Sequence, residues 1–423
     1  MKTKISLFIL ILFFFNHAHS QTFKAGAALR IITPDNLIPI SGGMGTPVMP
    51  NDRKGDLFVR ALVLEKGETR VAIVSIDNLG WPAYLGDRSR KLIKGISFEN
   101  ILIGVTHTHS APDAYAFPDE KGNHGADLEY LDWCVIQVAK AVHEAISKLE
   151  PASLKTAVGE AKGQIAYNYY APALYDPRMG VIQAIATTGK NLGKPIATLV
   201  NYATHPEILG TARKTMSPDL CGPLYDRIES KVGGVAIFMN SAQGGMVTAD
   251  NRRENGKEVN DWNECIRIGN LMADEALRII EPAPIQENPE LYCASKIIEF
   301  PIESEALRYV LENSPLVDKA AQNGDFSKIS TRLNLLNIGQ AQVITVPGEA
   351  LPNIGFYVKR HMKTDQPFLF GLTNDAFGYI ISKEDFNSFK RYEYISRTSL
   401  GEMTGEIYTT EALKMIEECT VPE

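Results

Sequence analysis

Cysteine is scarce and scattered: Cys134, Cys221, Cys265, Cys293 and Cys419 are the only five in 423 residues, and no two form a CxxC pair. A disulfide scaffold is excluded. One or two disulfides would be allowed in an oxidising compartment, and the odd count leaves at least one thiol free. Runs of lysine and arginine are missing too, and the formal net charge is −7. Both facts argue against nucleic acid and anionic membrane as partners. No apolar run approaches the roughly 20 residues that cross a bilayer, so no transmembrane segment is expected. Internal repeats and Pro/Gly/Ser-rich tethers are also lacking, which favours one compact unit. Hydrophobic content of 44% and charged content of 22% are those of a globular chain, neither disordered nor fibrous.

The N-terminus reads as an address. Lys2 and Lys4 precede an apolar stretch from Ile5 to Phe15, interrupted only by Ser6, and Ala18-His19-Ser20 offers a cleavage site before Gln21. This predicts a secretory signal peptide over residues 1–20 and a mature chain, 21–423, that is secreted or periplasmic. Loss of the two lysines takes the formal charge from −7 to −9. No cysteine lies near the new terminus to carry a lipid.

Strand and helix patterns alternate along the rest. Phe58 to Leu64 and Arg70 to Ile76 are β-rich runs joined by a short charged turn, which predicts a hairpin. From Leu128 the apolar positions Leu131, Val135, Val138, Val142, Ile146 and Leu149 recur at three- and four-residue steps, which predicts an amphipathic helix ending at Pro151. Weaker helical patterns cover 224–231, 265–280 and 351–362. Short buried-type strands precede most of them, at 101–105, 196–200, 235–239 and 343–346, with another at 368–372. The expected fold is α/β: a mixed β-sheet core with flanking helices in a single compact catalytic domain.

The most chemically capable polar residues stand just beyond those strands: His107 and His109, His205, Asn240 with Gly244-Gly245, Glu349, and Tyr379. In open α/β sheets ligands bind outside the carboxyl ends of strands, so these dispersed residues are expected to share one pocket. Thr106-His107-Thr108-His109-Ser110 is the densest group. On an extended segment residues i and i+2 face one side, a geometry that suits a divalent metal or a ligand beside an acid; two hydrogen-bonded histidines would look the same. Six histidines remain in the mature chain, and His124, His143 and His361 lie in loop or helix contexts that read as exposed. His205 is then the natural third member, although alone it reads as a packed core histidine. Glu349 opens a helix, where a carboxylate also suits the helix dipole. Tyr379 reads locally as a core aromatic. Asn240 to Thr248 forms either a tight turn or a nest of N–H groups for an oxyanion. Asp77, closing a strand, is either a polar strand end or the partner that orients a ligating histidine.

Taken in order, these segments resemble the neutral, non-lysosomal ceramidase family, zinc-dependent amidases that split ceramide into sphingosine and fatty acid. Ala28 to Pro34 is similar to its opening "ITP" turn, Thr106 to Ser110 to its "THTHSGP" block, Ala203-Thr204-His205 to "ATH", Pro347-Gly348-Glu349 to "PGE", and Gly378-Tyr379 with Arg391-Tyr392-Glu393 to its "GY…RYE" tail. The resemblance implies Zn²⁺ held by His107, His205, Glu349 and Tyr379, with His109 as acid/base or oxyanion donor and Tyr392 stabilising the oxyanion. It also implies a small-molecule or lipid N-acyl substrate. This sequence departs from the family where "GDVSPN" becomes Gly245-Met246-Val247-Thr248-Ala249-Asp250, placing Thr248 at the serine position and Met246 at the aspartate. Asn168 is followed by Tyr169 and Tyr170, where the family has an arginine. Smaller N-acyl or ester substrates, N-acyl sugars among them, stay open, as does a ceramidase-like binding protein without turnover. An amidohydrolase barrel would need two further metal histidines at later strand ends, and only His205 fits. The HxHxDH pattern of metallo-β-lactamases is absent.

Overall fold

The computed structural model describes residues 22–422; the expected signal peptide, residues 1–20, lies outside them. Eight strands build the larger sheet: β1 (Lys24–Ile31), β2 (Phe58–Lys66), β3 (Thr69–Ile76), β4 (Ile101–Val105), β5 (Glu150–Glu160), β6 (Arg178–Ala186), β7 (Pro195–Tyr202) and β8 (Val235–Asn240). Their order across the sheet is β8-β7-β6-β5-β1-β2-β3-β4. A second sheet of four strands is made by β9 (Leu291–Pro301), β10 (Lys328–Ile338), β11 (Ala341–Thr345) and β12 (Gln366–Phe370), in that order. The hairpin expected between residues 58 and 76 is the β2–β3 pair, antiparallel from Val59↔Ile76 to Lys66↔Thr69.

Apolar residues fix how the layers stack. One face of the large sheet meets one face of the small sheet, where Leu62, Ile73, Leu102, Leu199 and Met239 pack with Leu336, Val343, Phe368 and Phe370. Between the sheets Gly180 has no room for a side chain, since a Cβ there would fall 2.3 Å from the Phe368 ring. The outer face of the large sheet is covered at one end by α1 (Ala83–Leu92) and α2 (Leu128–Ser147), and at the other by α3 (Cys221–Val232) and α4 (Trp262–Ile280). The outer face of the small sheet carries α6 (Pro352–His361) and α7 (Thr404–Glu418), while α5 (Glu305–Asn313) has no buried residue. The result is a helix–sheet–sheet–helix sandwich in a single compact domain. It agrees with the mixed α/β core expected from sequence, with two sheets where the strand pattern suggested one.

Helix α2 starts where Asp127 accepts the Tyr130 N–H at 3.0 Å, which satisfies one of the four N–H groups left open at any helix start. It stops at Ser147 rather than Pro151, because Glu150 and Pro151 already pair with β1 as the first residues of β5.

Three neighbouring strand pairs are parallel: β3–β4, β7–β8 and β11–β12. A parallel pair requires a crossover, and α1, α3 and α6 lie on those three crossovers. The chain segments that follow these strands bear the polar groups singled out from sequence. All five cysteines are free, four of them buried. None of the disulfides that the count allowed is formed.

Candidate metal centre and active site

Three imidazoles meet beyond the large sheet. The ring centroids of His107 and His205 are 4.9 Å apart, those of His107 and His109 4.9 Å, and those of His109 and His205 5.5 Å. Each offers a ligand atom, and those atoms all lie within 4.8 Å of one another. Glu349 arrives from the small sheet, with Oε2 3.0 Å from His205 Nε2 and Oε1 3.6 Å from His107 Nε2. Tyr379 is brought beside it by a two-residue parallel pairing, Glu349↔Tyr379 and Ala350↔Ile380. Its hydroxyl donates to Met246 Sδ at 3.6 Å.

Each ring is aimed from behind. His107 Nδ1 faces the Leu79 carbonyl at 2.5 Å, and His205 Nδ1 faces the Val247 carbonyl at 2.6 Å. With Nδ1–H donated to a carbonyl, Nε2 is the nitrogen that faces the cluster, a free lone pair on neutral His107 and one that His205 offers once its Nε2 proton is displaced. Backbone carbonyls therefore take the orienting part that the sequence left open for Asp77. That carboxylate instead closes its own strand end, accepting from the Phe58 N–H and the Tyr225 hydroxyl. His107 and His109 do not converge by strand alternation either. β4 ends at Val105, and His107 has a left-handed backbone, φ 70°, that turns its ring inward.

Asn240 ties these segments together. Its Nδ2 donates to the Thr106 and Thr204 carbonyls, and its Oδ1 accepts from Thr204 and Ser241. The glycines after it serve packing: Gly244 N–H donates to the Ala350 carbonyl, and a Cβ on Gly244 would lie 2.3 Å from the Glu349 carbonyl oxygen. Here the turn reads as a tight turn rather than an oxyanion nest.

Burial sets the protonation pattern. It is the main cause holding His107 down at about 3, with Glu349 pulling the other way, and it likewise holds His109 down at about 4. Burial opposes the charge on His205 as well, but the hydrogen bond it donates to Glu349 and the nearby Glu207 outweigh it and raise that pKa to about 9. Glu349 is lowered despite its burial, by His107 and His205. The cluster thus holds one proton on His205, against an ionised Glu349, and two neutral imidazoles. Two imidazole lone pairs, one carboxylate and an adjacent phenol form a donor set that suits a divalent metal.

The remaining sequence candidates separate. Thr248 pairs with His205 through an isolated parallel bridge. Tyr392 packs against Tyr170 and Phe389, with ring centroids at 5.8 and 5.6 Å, and does not line the cavity over the histidines. Tyr394, two residues on, does line it. The tail motif puts Tyr392 on the turn leading into a short helix, Glu393–Arg397, and Tyr394 within it, and local pattern cannot tell which of the two faces inward. Sequence reading also passed over Glu207, whose Oε2 lies 3.4 Å from His109 Nδ1. Its one signal was its place two residues after His205. The arginine absent after Asn168 has a neighbour in space: Arg391 donates to the Tyr170 carbonyl at 2.8 Å.

Two cavities reach this cluster. One of about 330 Å³ is lined by His107, His205, Glu349 and Tyr379 together with apolar side chains that include Leu79, Leu307, Leu311, Leu316 and Phe377. A second of about 460 Å³ is lined by Glu207, Thr248, Tyr169, Asn251 and Asn260. His109 lines both. Among the described residues no helix is long and apolar enough to cross a membrane.

No family model matches the chain, and no curated protein matches its sequence. Solved structures do match. The chain is similar to neutral ceramidase from Pseudomonas aeruginosa with a TM-score of 0.77 over 95% of this chain and 77% of that one, at 17% sequence identity. It is also similar to a structure described as ceramidase complexed with C2, with a TM-score of 0.75, 17% identity, and coverage of 95% and 76%. At that identity the likeness is one of fold: this chain has a ceramidase-like fold.

Proposed function

We propose that this protein is an exported, zinc-dependent amide hydrolase that cleaves the N-acyl bond of ceramide or a related N-acylated amphiphile. The observation that carries the reading is the convergence of His107, His205 and Glu349, brought from three separate strand ends on two sheets, at the end of a cavity with apolar walls. In this reading His107 and His205 hold the metal through Nε2, Glu349 supplies the negative charge, and Tyr379 completes the set. A bound zinc ion supplies Lewis acidity toward an amide carbonyl and toward the water that attacks it.

His109 has a different task. Its Nε2 is buried and makes no hydrogen bond, while Nδ1 faces Glu207. A histidine whose far nitrogen faces a carboxylate is suited to carry a proton to the leaving amine. Tyr394 takes the oxyanion-stabilising part that the resemblance gave to Tyr392, because its hydroxyl-bearing ring lines the cavity. Thr248 sits beside Glu207 in the second cavity and serves substrate contact rather than nucleophilic attack.

The test is metal analysis of the purified protein joined to hydrolysis of N-acyl lipids, with and without a chelator. Chelation is expected to abolish turnover, and zinc to restore it. His107→Ala and His205→Ala should each lose bound zinc while remaining folded; stoichiometric zinc in either variant contradicts the ligand assignment. Thr248→Ala should keep turnover within about tenfold of the parent and retain its zinc. Complete loss with zinc retained would instead assign the nucleophile to the threonine hydroxyl.

A further inference from the structure

The two cavities that share His109 differ in character: the first is walled mainly by apolar side chains, and the second mixes polar with apolar ones, Ile208, Leu209 and Met246 among the latter. The walls of the first are largely aliphatic and aromatic beyond the histidine cluster, with Leu79, Leu307, Leu311, Leu316, Phe377 and Leu400 among them. The second carries Glu207, Thr248, Asn251, Asn260 and the half-exposed ring of Tyr169, with one further charge of each sign, Glu258 and Arg213. Both volumes lie in the range of small-molecule sites, about 300–1,000 Å³.

We propose that the substrate is an amide with a single acyl chain and a neutral, polyhydroxylated head, the chain filling the apolar cavity and the head filling the polar one. The proposal rests on the amide-hydrolase reading above and names the substrate of that same site. The orientation follows from His109. The leaving nitrogen needs a proton, so the amine side of the scissile bond lies toward this ring, and the head attached to that nitrogen continues past it into the polar cavity. The acyl side stays with His107, His205 and Glu349, which line only the apolar cavity.

The polar cavity is poorly suited to a second hydrocarbon chain. Such a chain would strip water from Glu207, Asn251, Asn260 and Glu258 and return no hydrogen bond, which leaves those polar groups unsatisfied. Hydroxyls, in contrast, both donate and accept, as this lining does: carboxylate oxygens accept, and carboxamides and a threonine do both. Tyr169, 60% exposed, offers a flat apolar face of the kind that the C–H face of a sugar ring covers. An anionic head is disfavoured because carboxylates outnumber the one arginine in the lining.

The test compares three amides with the same eight-carbon acyl group on the zinc-loaded mature chain: N-octanoylglucosamine, C8 ceramide and N-octanoylglycine. The glucosamine amide should have a kcat/KM at least tenfold above the other two. Tyr169→Ala and Asn251→Ala should lower that selectivity at least fivefold, mainly through KM. Binding of N-octanoylglucosamine to chelator-treated protein, followed by calorimetry, should weaken by a similar factor in both variants. If the ceramide is cleaved as well as or better than the glucosamine amide, or the variants leave selectivity unmoved, the head assignment is overturned while the amidase reading stands. If no amide is cleaved yet the glucosamine amide binds with the same sensitivity to Tyr169→Ala, the amidase reading fails and the head assignment survives. Absence of both binding and cleavage overturns the two together.

Discussion

His107 is the residue at which backbone and chemistry meet. A non-glycine residue at φ 70° is costly, of order 1–3 kcal/mol, and persists only where the surroundings over-determine it. Here they do so through the Asn78 carbonyl on its N–H and the Leu79 carbonyl on its ring. The next ring along, His205, makes a pH prediction. Its pKa in the fold, about 9, exceeds the ordinary 6.5. In the metal-free protein the stabilisation from its charged form is therefore fully present below about pH 6.5 and is lost as pH rises through about 9. A metal at this position must displace that proton. Apparent zinc affinity should accordingly tighten about tenfold per pH unit from 7 to 9 and level off above that, as read by titration against a competing chelator. A flat profile over the same range would show that the proton is not held by His205. At this scale the sequence was legible in residue type but not in aim. Three of six histidines could be picked out because they followed apolar strands, whereas Glu207 had only its nearness to His205, and Tyr394 enters the site because a distant segment folds against it.

Among the elements, the turns that end the parallel strands decide the geometry more than the strands do. The strands themselves were readable, since buried β4, β7, β8, β11 and β12 are short apolar runs with few alternatives. The turns were not, because their partners lie on another sheet. Gly244 illustrates this. From sequence it belonged to a glycine pair of ambiguous purpose, while in space it abuts the Glu349 carbonyl with no room for a methyl group. The neighbour it would strike is backbone, so relief requires moving the Glu349 turn itself. Gly244→Ala should destabilise the protein by about 1–3 kcal/mol, the usual range for overpacking, and should weaken zinc binding at least tenfold because Glu349 moves with the turn. Denaturant unfolding and zinc titration check the two effects. Unchanged zinc affinity in a destabilised variant would mean that the turn can shift without carrying the carboxylate.

Across the whole molecule the donors are divided between the sheets: the large sheet delivers His107, His109 and His205, and the small sheet delivers Glu349 and Tyr379. The three histidines converge on the large sheet by themselves, but the carboxylate and the phenol come from the other side, so the set of His107, His205, Glu349 and Tyr379 exists only when the Leu199–Phe370 core between the sheets is closed. The sandwich was the least readable feature in the sequence, since β9 is largely half-exposed and β10 is buried only from its middle onward, a pattern that does not announce a second sheet. A ligand that binds only the docked arrangement stabilises it by mass action, by about 2.7 kcal/mol at a hundredfold excess over its Kd. Zinc at that excess should therefore raise the unfolding midpoint of the parent protein, and His107→Ala and Glu349→Gln should each lose most of that rise. The decisive comparison is the metal-free midpoint of Glu349→Gln against that of the parent. Removing the carboxylate leaves the His205 proton without its partner, so this variant should also be less stable without zinc below pH 6.5, and the difference should shrink as pH passes 9. A midpoint in the parent that does not respond to zinc at that excess would mean that the unfolded chain binds the ion as well as the docked sheets do, and the division of the site between two layers would lose its energetic meaning.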